Sequence, residues 1–366
     1  MKNVVIYVRN KNIRPSDYYR IVQYSNNLNA NVIIRSAVPD KIDRWSLDSA
    51  KNKISRLLSL ILSYLFIIKN YIFGTIKDKK IKPEVIIVVR EIFPRKILPF
   101  LKRSLIKKCK LTKLIWDYDD SIIGTEISET EANIYFEYAS RIVVSTPYLK
   151  EHLPESVKKK TDVLCTTDGD LANIKLNEIN KKRKEDFESV INVVWVATAN
   201  NMPNLLDVIE YLNVAAKKLM KEYDKELHIK IVCNREVEQV FDFLKVHNIT
   251  WTHNVALDEI LSAHIGIMPL MNNEFALGKA GFKLVQYMAG GLPLIASNVG
   301  FNSSLLNEKI GFGVDQNSEE QWVNAIVQLS VEYMQWEQYS LNSRKEWEER
   351  YSYQSHLDFW DRLINE

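Results

Sequence analysis

The sequence predicts an α/β protein made of two doubly wound, Rossmann-like domains. Three observations carry this. Short, wholly apolar runs recur along the chain and read as strands buried on both faces, as in parallel sheets. Segments of helical period separate them. A strand, loop and helix opening occurs twice, at Val4–Val8 (VVIYV) and at Ile191–Ala197 (INVVWVA). A chain of 366 residues exceeds one ordinary core and suits two. Composition places an N-terminal domain over 1–170, a linker over 171–190 and a C-terminal domain over 191–345, with terminal helices over 346–366. The linker is drawn where the text turns polar, including KKRK at Lys181–Lys184.

Apolar and charged fractions are those of a globular protein. A net charge of only +3 gives no reason to expect a nucleic-acid partner. Positive charge is uneven, however: lysines and arginines crowd Lys77–Lys113 with few acids among them. Such a crowd suits a solvated face or an anionic membrane surface. Three cysteines are far apart, and none of the six histidines forms an HxH or HxxxH pair, so neither a metal nor a Cys/His nucleophile is indicated. MKNVVIYV runs directly into a strand, so a reducing, cytoplasmic compartment is expected.

Taken in order, Val4–Val8 is followed by a loop holding Arg9 and Arg14, then a helix from Asp17 to about Leu28 that carries Arg20. The glycine-rich phosphate fingerprint of dinucleotide enzymes is missing there, which argues against a dehydrogenase. Val32–Ser36 is a strand. Ile54–Ile76 is the most apolar segment. Its uninterrupted part, Leu57–Ile68, falls short of the roughly 20 residues a spanning helix needs. A core helix with one face resting on a membrane is expected. Pro83–Val89 is a buried strand that delivers Arg90 and Glu91 at its C-terminal end, where open α/β sheets bind ligands. Leu114–Trp116 likewise delivers Asp117, Tyr118, Asp119 and Asp120. Arg141–Ser145 and Val163–Cys165 complete the first sheet, with Thr146-Pro147 opening a helix.

In the second half, Thr198–Met202 loops from the strand into a helix opened by Pro203 and running to about Tyr223. A strand at His228–Cys233, a helix at Val237–His247, a strand at Ile249–Trp251 and a helix at Leu257–Ala263 follow. Helices over Gln321–Leu329, Val331–Arg350 and Ser355–Ile364 close the chain.

Between them lies the most informative stretch. HIGIMP (His264–Pro269) is a strand, Met271–Gly278 an irregular loop, Lys279–Ala289 a helix stopped by Gly290-Gly291, and LIAS (Leu294–Ser297) the next strand. Lys279, Lys283 and Gln286 share one helix face. Unpaired amides and partial positive charge at the first turn, with two ammonium groups beside them, suit a nucleotide diphosphate.

GKAGFKLVQYMAGGLPLIAS (Gly278–Ser297) resembles the donor-binding segment of the GT4-type retaining glycosyltransferases of the GT-B fold. In that family a glutamate, a Gly/Phe loop and a second glutamate after seven residues precede the helix end. Gln286 stands at the second glutamate and Gly278 at the first, with Glu274 four residues earlier. The resemblance implies a nucleotide-sugar donor and no cofactor. It gives ribose binding to Gln286, while the first glutamate's role does not carry over to Gly278 or Glu274; donor contacts are expected at Lys279, Gly281, Phe282, Lys283, Glu274, Asn200 and Asn201, the two asparagines equally suiting a turn. Relatives carry basic residues in the first C-domain loop. Here Thr198-Ala199-Asn200-Asn201 stands there, which leaves charge neutralisation to Lys279 and Lys283.

The resemblance also implies a cleft between two facing domains and a C-terminal helix crossing back to the N-domain, for which Trp347, Tyr351, Phe359 and Trp360 are suited. It places a polysaccharide or lipid-linked acceptor on the N-domain. Asp117, Asp119 and Asp120 are the expected catalytic and acceptor-binding carboxylates, with Arg14, Arg20, Arg90 and Glu91 beside them. Asp-x-Asp also suits a metal or simple turn capping, but a lysine-held diphosphate requires no metal. The expected activity is glycosyl transfer from a nucleotide-diphosphate sugar to a surface polysaccharide or lipid-linked oligosaccharide, at the inner face of the cell membrane. The alternative is a catalytically silent GT-B-like scaffold.

Overall fold

The computed structural model describes residues 1–48 and 52–366. The chain folds as two compact units, Met1–Thr166 with Gln354–Glu366, and Thr167–Tyr353. Along the first unit run β1 (Lys2–Val8), α1 (Pro15–Arg20), β2 (Ala30–Ser36), α2 (Asp40–Asp48), α3 (Lys53–Ile81), β3 (Val85–Val89), α4 (Pro99–Leu111), β4 (Lys113–Tyr118), α5 (Glu129–Tyr138), β5 (Arg141–Val144), α6 (Pro147–Glu151), α7 (Glu155–Lys158) and β6 (Thr161–Val163). The second unit holds α8 (Leu176–Phe187), β7 (Val190–Val196), α9 (Met202–Leu206), α10 (Ile209–Tyr223), β8 (Glu226–Val232), β9 (Lys245–Ile249), α11 (His253–Ser262), β10 (Ile265–Met268), α12 (Glu274–Leu277), α13 (Phe282–Ala289), β11 (Leu294–Ser297), α14 (Phe301–Leu305), β12 (Gly311–Val314), α15 (Glu319–Val331) and α16 (Tyr333–Arg350). Helix α17 (Tyr353–Asn365) ends the chain.

Each unit has one six-stranded sheet, ordered β2-β1-β3-β4-β5-β6 and β12-β11-β10-β7-β8-β9. Every pairing between these strands is parallel. The central strands β3 and β7 are buried nearly end to end, which is why they read as apolar runs, broken only by Asn192 in β7. Chain direction across the sheet reverses between β1 and β3 in the first unit and between β7 and β10 in the second. Loops at such switch points diverge and leave room for a ligand at the strands' C-terminal ends.

Several expectations are corrected. The segment drawn as a linker, 171–190, is mostly α8, an integral helix of the second unit. Its Arg183 is fully buried and reaches the carbonyls of Ile260, Leu261, Gly290 and Gly291. A charge run hid a helix with one buried cation. The helix expected from Asp17 to Leu28 stops at Arg20, where Ile21 leaves helical geometry with φ −147°. The helix expected over Val237–His247 does not form. Asn213 Oδ1 accepts from the amides of Phe243 and Leu244, and Asn248 bonds both backbone groups of Val237. Side chains thus satisfy the backbone that a helix would have paired.

Of the aromatics proposed for the C-terminal crossing, Trp347 and Tyr351 lie in the second unit, where both meet Thr167. Phe359 and Trp360 lie on the part of α17 that packs with the first unit. Lys2 and Lys113 cap its last carbonyls at 3.0 and 2.7 Å, and Asp361 accepts from the Asn29 amide at 2.7 Å.

The most apolar segment is also corrected. It forms one continuous helix of 29 residues, about 43 Å at 1.5 Å per residue, long and apolar enough to cross a membrane. Most of its apolar side chains are exposed rather than in the core.

Candidate functional site

In the second unit, the loops after β7 and β10 meet at the switch point. After β7 the chain makes a tight turn over Ala199–Asn201. Asn201 Nδ2 donates to Thr198 Oγ1 at 2.9 Å, and Asn201 Oδ1 accepts from Lys279 Nζ, which comes from the loop before α13. The loop after β10 is anchored beside it, with the Met271 amide on Asn204 Oδ1 at 3.0 Å and the Leu270 amide on Ser297 Oγ at 2.8 Å.

Helix α13 starts at Phe282, three residues later than expected. Gly281 is its N-cap with φ +62°, and an added Cβ would lie 2.6 Å from Leu305 Cδ1. Only glycine enters this left-handed turn without strain. Lys279 is therefore in the loop ahead of the helix, not one turn below Lys283 on its face. The helix's own bonding begins with Leu284 N–H to the Gly281 carbonyl at 3.0 Å. The amides ahead of that point are the ones a helix N-terminus leaves open to an anion.

From Leu284 onward the helix is buried on every side, Gln286 included. Gln286 Oε1 accepts from Lys283 Nζ at 3.1 Å, and its Nε2 donates to Asp168 Oδ2 at 2.7 Å. Burial lowers the Lys283 ammonium from its ordinary 10.5 to about 8, partly opposed by Asp168. Burial likewise raises the Asp168 carboxyl to about 6, opposed by the Gln286 hydrogen bond. Asp168 Oδ1 also accepts from the Asp170 amide at 3.0 Å, and Asp170 pairs with His253 at 2.8 Å. This hydrogen bond raises the His253 pKa. Asp168, Asp170 and His253 were not singled out in the sequence. The local signal is DGD at Asp168–Asp170, which reads as turn chemistry.

The far end of α13 is closed by two buried arginines. Arg183 from α8 donates to the Gly290 and Gly291 carbonyls at 3.0 and 3.3 Å. Arg344 from α16 donates to the Ala289 carbonyl at 2.6 Å. Cations at the C-terminus complement the dipole whose positive end faces the candidate donor site. Of the remaining donor candidates, Glu274 and Asn200 are exposed, and Phe282 lies under Lys283 with Nζ 4.9 Å from the ring centroid.

In the first unit, the candidate acceptor residues also collect at a switch point, but their roles divide. Asp117 is fully buried, and both oxygens are taken by Arg20, Nε at 3.1 Å and Nη2 closer still. Arg20 further reaches the Leu164 carbonyl and Thr166 Oγ1. The expectation that Asp117 faces an acceptor hydroxyl and that Arg20 meets an anionic acceptor is corrected: the two satisfy each other, as buried charges must. Asp119 accepts from Ser16 Oγ at 2.7 Å and from Arg90, which also pairs with Glu126 at 2.7 Å. Burial alone would raise the Asp119 carboxyl, yet Arg90 and Arg20 hold it below its ordinary value. Asp120 is half-buried at φ +58°, a turn residue as its chemistry allows. Arg14 grips Asp43 through two bonds of 2.7 Å, with Arg9 on the same carboxylate.

Glu91 differs. Its side chain is buried, Oε2 has no hydrogen-bond partner, and the nearest cation is Arg90 Nε at 4.0 Å. Burial raises its pKa. Asp17, absent from the expected site, interacts electrostatically with Glu91 from the first turn of α1. It is buried, accepts from the Asn10 amide at 2.7 Å, and burial raises it to about 8. Glu131 fixes the loop after β3, which carries Glu91, by accepting from the Ile92 and Phe93 amides. Among the described residues, no group of three or more His, Cys, Asp or Glu side chains is placed to hold a metal ion.

Two parallel doubly wound units with ligand-facing loops at their switch points define a class, and solved structures give it a name. HepE from Anabaena, solved with UDP and glucose, superposes with a TM-score of 0.65 at 9% identity over 100% of both chains. Sucrose-phosphate synthase from Thermosynechococcus elongatus gives 0.64 at 12%, over 100% of this chain and 98% of that one. TarM from S. aureus, solved with fondaparinux, α-GlcNAc-glycerol and UDP, gives 0.53 at 13% over 81% and 59%. The fold is GT-B. Residues 192–331, which include Asn201, Lys279, Lys283 and Gln286, match the family model of glycosyl transferases group 1. No curated protein sequence matches the chain significantly.

Proposed function

We propose that the protein is a retaining glycosyltransferase of the GT4 kind. It moves a hexosyl group from a nucleotide-diphosphate donor to a hydroxyl of a surface polysaccharide or lipid-linked oligosaccharide. The observation that carries this reading is the pair of polar contacts around the start of α13, Lys279 with Asn201 in the loops ahead of it and Lys283 with Gln286 on the helix. That group offers a diphosphate two ammonium ions and a helix N-terminus, and a ribose a neutral amide. Charge developing on the leaving diphosphate is stabilised there, so catalysis is mainly positional and electrostatic. UDP in the HepE and TarM complexes supports a nucleotide ligand for this fold.

On the acceptor side the reading moves from the aspartates to Glu91, whose unpartnered oxygen can accept from a sugar hydroxyl. Asp117 and Asp119 hold the arginines that shape that rim. Their engagement by arginine supports a reaction without a metal. The reading places the protein in the cytoplasm, in peripheral contact with the inner face of the membrane.

A panel of nucleotide sugars tested for protection against thermal unfolding checks the donor site, since a ligand at 100 times its Kd adds about 2.7 kcal/mol. Release of free nucleotide diphosphate then separates an enzyme from a silent scaffold. Protection without release under any acceptor condition favours the scaffold, and no protection by any donor rejects the site.

A further inference from the structure

Helix α3 is amphipathic in the inverted sense. Its buried positions are Ser59, Ser63, Ile67, Tyr71, Gly74 and Asp78, a stripe in which only Ile67 is aliphatic. Outward stand Ile54, Leu57, Leu58, Leu60, Ile61, Leu65, Ile72, Phe73 and Ile76, with Ile54 73%, Leu57 60% and Leu65 56% exposed. Water opposes such an arrangement, and a contiguous apolar face on a folded unit marks a surface that something covers.

The inward stripe is committed to the first unit. Asp78 is bonded by Tyr7 at 2.5 Å, Lys108 at 2.9 Å and Arg35 at 2.7 Å, and Asn70 Nδ2 donates to the Ala37 carbonyl at 2.9 Å. A helix held this way lies on a bilayer; crossing one would strip these groups from their partners. Ala37 immediately follows β2, so Asn70 marks the level of the sheet's C-terminal rim. The helix from Lys53 to Lys69, about 25 Å long, therefore precedes the point where α3 meets that rim. Tyr64 Oη donates there to the Lys96 carbonyl at 2.7 Å, tying α3 to the loop that leads from Glu91 to exposed Leu98 and Phe100. The apolar face is thus densest on the side of the unit that carries the acceptor candidates.

Charge identifies the occupant. No Asp or Glu occurs from residue 52 to 77 or from 92 to 116. Lys53, Arg56, Lys69, Arg95, Lys96 and Lys102 are exposed around the apolar face. An apolar strip bordered by unopposed cations matches the acyl boundary and headgroups of an anionic bilayer. A second copy of the same surface would bring like charges together.

We propose that the outward face of the first half of α3, with Leu98 and Phe100, seats in the plane of an anionic membrane and holds the rim at Glu91 next to it. This deepens the membrane part of the proposed function and rests on that part alone.

The test is flotation of the full chain with phosphatidylcholine vesicles, with and without phosphatidylglycerol, for wild type and the triple variant Leu57→Glu/Leu58→Glu/Ile61→Glu. Wild type should float with the anionic vesicles and at least tenfold less with neutral ones. The variant should lose flotation while keeping its melting transition, because these positions face outward. Absence of wild-type flotation, or equal flotation of the variant, overturns the proposal. So does a wild-type dimer that the variant dissociates without any vesicle binding, or retention in carbonate-washed cell membranes. Nucleotide protection measured on the same samples keeps the two readings apart, since flotation does not depend on donor binding and donor binding does not require vesicles.

Discussion

Lys283 makes the donor site testable through its proton. The ammonium sits at a pKa of about 8 because burial disfavours its charge. At pH 7 about nine tenths of the free protein carries the proton, and at pH 9 about one tenth. A bound diphosphate restores the charged form, so binding takes up a proton, and nucleotide affinity should fall about tenfold between pH 7 and pH 9. UDP ionises near both ends of that range, at its terminal phosphate and at uracil N3, so the slope assigned to Lys283 is the difference between wild type and Lys283→Ala. Lys283→Ala should lose a charge-assisted contact of about 1.5–3 kcal/mol, or roughly 10- to 150-fold in Kd, and should lose the pH dependence with it. Lys283→Arg should also remove the pH dependence.

Stability should move the opposite way. The folded-state pKa lies below the unfolded value of 10.5, so the unfolded chain binds more protons between those values. Stability of the free protein therefore rises from pH 8 toward pH 10.5. Lys283→Met, which removes the penalised charge, should stabilise the free protein at pH 7 by about 1–3 kcal/mol. Titration calorimetry in buffers of different ionisation enthalpy reads proton uptake directly. Wild-type affinity that is flat from pH 7 to pH 9, or Lys283→Ala binding as tightly as wild type, would refute the reasoning.

Gly281→Ala should cost about 1–3 kcal/mol, because it forces a side chain into φ +62° against Leu305. Nucleotide affinity should fall with the displaced first turn, as a melting curve with and without UDP would reveal. Asp117→Asn leaves Arg20 buried without its counter-charge, and chemical denaturation should show a loss of about 3–5 kcal/mol. A smaller loss, with acceptor turnover selectively reduced, would return Asp117 to the acceptor site. Transfer measured in EDTA should match that in buffer alone, and restoration by Mn²⁺ after loss would make the aspartates metal ligands.

Fold class was readable because both central strands are buried on two faces and almost wholly apolar, with Asn192 in β7 the one polar residue between them. The strand, loop, helix and strand around α13 were readable because Gly281, Gly290-Gly291 and Pro293 punctuate them, although the left-handed Gly281 shifts the helix start. What escaped depends on partners distant in sequence. Asp168 reaches Gln286 across 118 residues and Arg20 reaches Asp117 across 97. No local pattern announces that a carboxylate is already satisfied. Period alone favoured a helix at Val237–His247, which the single side chains of Asn213 and Asn248 cancel. The inverted face of α3 misled in the other direction, since an apolar run is read as core until something shows which side faces inward.

The two guanidinium groups behind α13 have a mechanical consequence. The helix has only eight residues, so a slide of one turn along its axis would break all the bonds that Arg183 and Arg344 make to its terminal carbonyls. Helices α8, α13 and α16 are thereby pinned into one body at the end remote from the candidate ligand. On the proposed function, a nucleotide at the front of α13 would meet a surface already in position, and adjustment to a particular donor would fall to the loops holding Lys279 and Asn201.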